Sequence, residues 1–339
     1  MGSTSVSLLV PLALVAVTGS VALGCGAETE PEVVAEAPAE VEPVPAPEPG
    51  GASPGTTEPP ADPAPAGEAW DGEAVAMRRK PWSSGDRFES HIRMELKLDA
   101  EIGLGIFSQE VEYRMAETEV LAVEVLDDGD DGSVNRSLEY VKRVSTRVVP
   151  IKGKEQEERR THGKTFTVSL DKQGAEVRNV ASGNVPREKV LEEVLRSWRA
   201  LGAQPVLFDA FPAGDPVLVV PGEAVEIEGE MAKRLVGLPF DELGVDSLEL
   251  TLREPATASP AEVVFDARAV FSGSAELGDG ILSLTAHLDG PITVATNSMR
   301  VKRVELKGKV KAKQKGEDAT LSAKGSGPLS IKRHFIPKP

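Results

Sequence analysis

The chain has 339 residues, of which 40% are hydrophobic and 4% aromatic, and its 38 basic and 54 acidic side chains give a formal net charge of −16. It is too long for one small domain, and its apolar content suffices for a mainly aliphatic core. The acidic balance lacks the basic footprint of nucleic-acid-binding proteins, so we expect no nucleic-acid partner. A single cysteine, Cys25, excludes an internal disulfide.

The first 25 residues carry no charged side chain and include an apolar run, SLLVPLALVAV, at residues 7–17. A run of this length is typical of the hydrophobic region of a secretory signal, whereas a membrane-spanning helix needs about 20 apolar residues. We therefore interpret residues 1–24 as a signal peptide. An ordinary secretory signal with an incidental cysteine and an uncleaved anchor helix are the alternatives.

The segment Ala22-Leu23-Gly24-Cys25 resembles the lipobox of bacterial lipoproteins, in which small residues precede an invariant cysteine. The resemblance implies cleavage before Cys25 and acylation, with palmitate for example, of its thiol and of the new amino terminus. Because each buried methylene contributes about 0.8 kcal/mol and one chain binds only marginally, two or three chains make a durable anchor. We therefore expect an exported protein on a bacterial membrane, foremost the periplasmic or surface face of the outer membrane.

Residues 26–75 contain twelve acidic residues, eleven prolines and no Lys or Arg, so residues 76–339 have 38 basic and 42 acidic residues, a balance of −4. Such a segment cannot bury enough apolar surface to offset the entropy of ordering, and proline and like charges extend it. We predict a lipidated cysteine and disordered tether over residues 25–75, reaching on the order of 150 Å when extended. We interpret it as a spacer, with a Pro-rich recognition segment as the alternative.

From Arg87 onward, apolar and charged residues alternate with a period of two, which is typical of antiparallel strands with one solvated face. A turn at 171–174 separates two such strands, and PGEAVEIEGEMAKRL is interpreted as another alternating run. The predicted buried faces include Phe88, Ile92, Met94, Leu96 and Leu98; Val111, Tyr113 and Met115; Leu138, Tyr140, Val144 and Val148; Leu248, Leu250 and Leu252; Val263, Phe265, Ala267, Ala269 and Phe271; Val304, Leu306 and Val310; and Leu329, Ile331 and Phe335.

One segment, PREKVLEEVLRSWRALG, instead spaces its apolar residues by three and four, which predicts an amphipathic helix at about 186–201. Because a sheet with one solvated face must bury the other against a second layer, we predict a mainly β fold. Its antiparallel sheets form a sandwich or a strongly curved open barrel. The folded body is expected at 76–339, and two similar halves, 84–202 and 217–336, remain an open alternative.

The most basic segment, SMRVKRVELKGKVKAKQKG at 298–316, has eight basic residues and one acid, Glu305. From Leu306 apolar and basic residues alternate, which places the lysines on one strand face. One interpretation is an edge strand charged against aggregation. The functional interpretations are contact with anionic lipid or acidic polysaccharide, or with the protein's own tether. The candidate contact residues are Arg300, Lys302, Arg303, Lys307, Lys309, Lys311 and Lys313.

The sequence has no P-loop, GxGxxG or HExxH motif, so we expect no catalytic or metal-binding residue and no cofactor. DDGDDG, 127–132, is interpreted as a hairpin turn, with a weak calcium contact as the alternative. The four histidines, His91, His162, His287 and His334, are interpreted as exposed.

The leading functional hypothesis is a non-catalytic envelope lipoprotein that holds a hydrophobic or lipid ligand inside a curved sheet. The alternatives are a structural or protein-interaction module that binds an envelope protein, and an enzyme whose site the sequence does not reveal. A carrier predicts a sizeable apolar cavity. An interaction module predicts a filled core and an exposed patch.

Overall fold

A computed structural model of the chain describes residues 73–104, 107–128, 134–149, 153–171, 174–201, 206–211, 214–227, 229–236, 243–257, 259–277, 280–315 and 321–338. The predicted signal peptide, Cys25 and nearly all of the tether lie outside the described residues. The strands are β1 (Val75–Met77), β2 (Arg87–Leu104), β3 (Phe107–Asp128), β4 (Val134–Val149), β5 (Gly153–Glu158), β6 (Thr165–Asp171), β7 (Gly174–Asn179), β8 (Val217–Val219), β9 (Ala224–Ile227), β10 (Leu243–Leu252), β11 (Glu262–Leu277), β12 (Gly280–Ala295), β13 (Val301–Lys315) and β14 (Leu321–Lys338). The helices are α1 (Glu188–Leu201) and α2 (Gly229–Val236), with a short 3-10 helix at Val206–Phe208.

The long strands form one antiparallel sheet in the order β7-β6-β4-β3-β2-β14-β13-β12-β11-β10-β9, with β5 also paired to β4. Each half of the chain supplies one run of neighbouring strands, and the two runs join where β14 pairs with β2. A second, two-stranded sheet consists of β1 and β8. The predicted mainly β, antiparallel fold is therefore confirmed. In the described part of the chain, β7 and β9 pair on one side only, so the large sheet does not close into a barrel.

The large sheet is strongly curved, and one buried cluster extends along its inner face over strands that are far apart in the strand order. Tyr113 on β3, Leu248 on β10 and Val219 of the small sheet all belong to it. The small sheet and α2 therefore lie against the concave, inner face of the large sheet. The predicted period of two accounts for this face, since residues such as Phe265 and Ile331 are fully buried while their chain neighbours are not.

Glycines permit the close approach of neighbouring strands on this inner face. A Cβ added to Gly308 on β13 would lie 1.8 Å from the carbonyl oxygen of His287 on β12. A Cβ on Gly327 of β14 would lie equally close to the carbonyl oxygen of Lys97 on β2. Glycine in a strand interior commonly marks such a close approach or bend. These positions therefore make the curvature of the sheet centre possible.

The predicted helix is confirmed as α1, which begins two residues after Pro186. Its apolar side buries Val194, Trp198 and Leu201 in a second core cluster with residues of β3, β4 and β6. The helix α2 corrects the interpretation of PGEAVEIEGEMAKRL as one strand run, because only β9 is extended there. No helix in the described ranges has the length and apolar character needed to cross a membrane.

A β-bulge corrects the predicted face of the second half of β4. Leu138 and Tyr140 are buried as predicted, but the pairing of β3 with β4 shifts register after Tyr140. The additional residue, Val141, is 48% exposed. Beyond the bulge Ser145 turns inward, whereas Val144 and Val148, predicted to be buried with Leu138, alternate with it and face outward.

Candidate functional site

The predicted basic strand is β13, and it lies within the sheet. Along its length β13 pairs with β12 on one side and with β14 on the other. The edge-strand interpretation is therefore wrong, because the backbone groups that an edge would expose are already hydrogen-bonded. The basic side chains of β13 need an explanation other than protection of an edge.

Four exposed lysines, Lys307, Lys309, Lys311 and Lys313, project from the outer face of β13 and are called the lysine row. Alternate residues on a strand are about 6.8 Å apart, so the row extends over about 20 Å. Residues directly opposite in neighbouring strands share a face. Opposite the row lie Asp289, His287, Thr285 and Ser283 on β12, and Ser330, Pro328, Ser326 and Lys324 on β14. Asp289 is the one acid among these eight neighbours.

Two other lysines on the outer face near the row are already paired. Lys97 lies 2.8 Å from Glu112, and Lys324 lies 2.7 Å from Glu101. The hydrogen bond from Lys97 lowers the pKa of Glu112 from its ordinary value, and Lys324 lowers the pKa of Glu101 in the same way. No lysine of the row has a carboxylate within ion-pair distance among the described residues. The row therefore presents four positive charges that are not neutralised internally.

A groove of about 420 Å³ adjoins the row on the same face of the sheet. Its small side chains are Ala116, Thr146, Pro328 and Ser330, and we call it the outer groove. Pro328 and Ser330 lie opposite Lys309 and Lys307, so the groove opens directly beside the row. Lys97, Arg114 and Glu95 line its charged sides. Apolar residues such as Val148 also line the groove, and the row and groove together form one continuous surface across β13, β14, β2, β3 and β4.

The other basic residues of the predicted contact surface have different surroundings. The Arg300 guanidinium lies 3.8 Å from the Trp82 ring centroid, pairs with Asp86 at 2.8 Å and donates to the Pro81 carbonyl. Lys302 is half-buried, whereas Arg303 is exposed and lies 3.7 Å from Glu305. Arg300 therefore fastens residues 81–86 to the body and is not part of the lysine row.

A second polar cluster lies on the inner face, where the sequence predicted only apolar packing. The alternation of β3 places Glu117 and Glu119 on the same side as Met115. Beyond the bulge, β4 turns Arg143 to this side, and α1 contributes Glu193. These charges lie between the two apolar clusters, and we call them, with Arg159, the inner ion-pair network.

The network is closely paired. Arg143 lies 3.1 Å from Glu119 and 3.6 Å from Glu193, and Arg159 lies 2.6 Å from Glu117. Burial disfavours the charged Arg143 guanidinium, but Glu119 and its other anionic neighbours more than offset this and raise its pKa. Each carboxylate therefore has a cationic partner. This arrangement suits attachment of α1 to the sheet better than proton transfer.

Arg333 on β14 is also buried, at 1% exposure, and it is not among the residues predicted to be buried. It donates to the Arg234 carbonyl at 2.7 Å, one of the last four carbonyls of α2, which have no intrahelical partner. It also donates to the Ser90 hydroxyl at 3.3 Å. Burial lowers the pKa of Arg333 to about 10, against the opposing effect of Glu119. Arg333 thus caps α2 on the inner face.

The histidines are not equivalent. His287 is exposed, and His91 and His334 are partly exposed opposite one another on the outer face. His162 differs from the prediction, because its Nδ1 accepts a hydrogen bond from the Arg143 backbone N–H. Among the described residues, no group of three or more His, Cys, Asp or Glu side chains has an arrangement that could hold a metal ion.

The hairpin interpretation of DDGDDG is supported by the pairing of Asp128 at the end of β3 with Val134 at the start of β4. The loop between them lies outside the described residues.

No protein-family model matches the chain, and no curated protein matches it.

Proposed function

We propose that the chain is a membrane-tethered, non-catalytic envelope lipoprotein whose folded body is an interaction module. Its binding surface is the outer face of the large sheet, centred on the lysine row. The observation that carries this proposal is the contrast between the two faces. Inner residues such as Leu250, Phe265 and Leu306 are fully buried, whereas the outer face presents four lysines without internal carboxylate partners.

The attachment of the tether to the body supports this arrangement. The chain enters the fold at β1, which pairs with β8, and Arg79 donates to the Phe211 carbonyl at 2.9 Å. The Arg300 contacts with Trp82 and Asp86 add a second attachment. The first described segment is therefore fixed to the body at several points, and none of these contacts involves a lysine of the row.

A carrier of a hydrophobic ligand is the second candidate, and one observation favours it. The part of the inner face that carries the second core cluster is covered by α1, which meets the sheet partly through the inner ion-pair network. Displacement of α1 would expose apolar side chains such as Leu138 and Phe166, which are now fully buried. This candidate requires the core clusters to separate around a ligand, whereas the interaction module requires no rearrangement.

Replacing Cys25 by serine is expected to move the protein from the membrane fraction to the soluble exported fraction. The reason is that serine cannot form the thioether on which the predicted lipid anchor depends. Fractionation followed by immunodetection measures this shift. A native mass spectrum of the released protein is expected to show the polypeptide mass alone, because inner residues such as Leu250 and Phe265 are already fully buried by the protein itself.

The matched control is Ser20→Ala, which changes a small residue upstream of Cys25 and leaves the thiol in place. This control is expected to stay in the membrane fraction. Retention of Cys25→Ser there would contradict lipid anchoring and support the uncleaved helix. A stoichiometric lipid adduct would contradict the interaction module and support the carrier.

A further inference from the structure

We infer that the lysine row and the outer groove bind a linear acidic polysaccharide. This inference rests on the proposed function, since it names the partner of the same outer face. It is drawn from the spacing of the charges, from the side chains beside them and from the position of the groove.

The geometry of the row fits a linear polyanion. Its four ammonium groups project in single file from one strand, at intervals of about 6.8 Å. A compact anion would meet one or two of them, whereas an extended chain of carboxylates meets all four. Because the lysines have no internal carboxylate partners among the described residues, binding an anion breaks no ion pair.

The residues beside the row fit a sugar chain. Hydroxyl side chains lie opposite the row on both neighbouring strands. On β12, Thr285 lies opposite Lys311 and Ser283 opposite Lys313. On β14, Ser330 lies opposite Lys307 and Ser326 opposite Lys311. Hydroxyl groups both donate and accept hydrogen bonds, as sugar hydroxyls require. The small side chains of the outer groove, such as Ala116 and Pro328, leave room beside the row for a ring.

The same surroundings argue against a lipid bilayer and against nucleic acid. Insertion into a membrane interface requires apolar side chains beside the cations. The large exposed hydrophobic residues of the described ranges are Leu126, Val141, Val180, Val185, Leu218, Val220 and Ile336. None lies on β12 or β13, and Ile336 on β14 lies beyond the residues 324–330 that pair with the row. The residues opposite the row include no Phe, Tyr or Trp on which bases could stack.

The test uses the full chain carrying Cys25→Ser, with polygalacturonate as the acidic polysaccharide. Its fully methyl-esterified form is the uncharged probe, and phosphatidylglycerol vesicles are the lipid probe. The test variant combines Lys309→Gln with Lys311→Gln. The control combines Lys164→Gln with Lys189→Gln, which removes the same charge from two exposed lysines outside the row.

Binding to polygalacturonate is expected to weaken with added salt and to fall about tenfold in the test variant, with little change in the control. The methyl-esterified polymer is expected not to bind. Equal losses in both variants, or no binding of the acidic polymer, would overturn the inference. Tighter binding to the vesicles than to the polymer would also overturn it, in favour of a lipid surface.

The protein's own acidic tether is the remaining candidate occupant of the row. A further variant changes Glu28, Glu30, Glu32, Glu36, Glu40 and Glu42 to glutamine. Polymer binding that appears only in this variant would assign the row to the tether and overturn the inference. Polymer binding and membrane anchoring are measured independently. Release of Cys25→Ser from the membrane fraction would still support the lipid anchor of the proposed function if the polymer does not bind.

Discussion

Replacing Arg143 by methionine is expected to lower the free energy of unfolding by about 3–5 kcal/mol, because removing one partner of a buried ion pair leaves the other charge uncompensated. Arg143 has only 11% of its side chain exposed, and it neutralises Glu119 on β3 and Glu193 on α1. Methionine preserves most of the length of the side chain but none of the charge. Urea unfolding of the full chain measures the loss.

The matched control is Arg178→Met, which breaks an ion pair with Glu176 in which both side chains are more than half exposed. It is expected to cost less than about 1 kcal/mol. Combining Arg143→Met with Glu119→Gln is expected to recover part of the loss, since one uncompensated carboxylate disappears. If Arg143→Met and Arg178→Met cost the same, the inner ion-pair network does not stabilise the attachment of α1.

Replacing Gly308 by alanine is expected to lower the free energy of unfolding by about 3 kcal/mol, at the upper end of the range for overpacking in a core. The new Cβ would lie 1.8 Å from the His287 carbonyl oxygen, and this neighbour is backbone that cannot rotate away. β12 and β13 must therefore separate locally at the centre of the sheet. Urea unfolding measures the effect.

Gly244→Ala is the control, because Gly244 also lies in a strand and its added Cβ would make an ordinary 3.7 Å contact with the Ser272 carbonyl oxygen. Alanine there is expected to be neutral or to stabilise by up to about 1 kcal/mol, since it reduces the entropy of the unfolded chain. A Gly308→Ala protein as stable as Gly244→Ala would contradict the close approach of β12 and β13.

The period of two predicted most of the inner face because the pattern is local to each strand. Met94, Leu250, Phe265 and Ile331 were assigned to the buried side from alternation alone, and all are at 0% exposure. The helix α1 was predicted for the same reason, since its apolar spacing extends over several turns. Alternation within each strand does not predict the order of the strands, because the pairing of β14 with β2 joins residues more than 200 positions apart.

The errors arose where a local pattern was interrupted or short. Val144 and Val148 were placed on the buried face because nothing in the sequence marks the bulge at Val141. The helix α2 has only eight residues and directly follows an alternating run, so its short apolar pattern does not distinguish a helix from the end of a strand. β13 lies inside the sheet because it pairs with the strands that precede and follow it in the chain, β12 and β14, and the alternation within one strand does not show these pairings.

The burial of charged residues on the inner face was not predicted, although the alternation of the strands assigns these residues to that face. Glu117 and Glu119 are an even number of residues from Val111 and Met115 on β3, so they lie on the same face of the strand. Arg333 lies on the same face of β14 as Ile331 for the same reason. These three residues are not among the predicted buried positions. A charged residue at an inner position was the available signal, since such residues are buried only where partners meet them. The partners of Glu119 come from β4 and α1, which the sequence does not bring together.

We propose that the outer face of the sheet, and not its concave side, meets a partner in the cell envelope. Acetylation of lysines, followed by mass spectrometry, compares the wild-type protein in intact envelopes with the purified protein. We predict that Lys307, Lys309, Lys311 and Lys313 are protected in the envelope, whereas the exposed Lys164 and Lys189 react equally in both samples. Equal reactivity of the lysine row in both samples would contradict the claim.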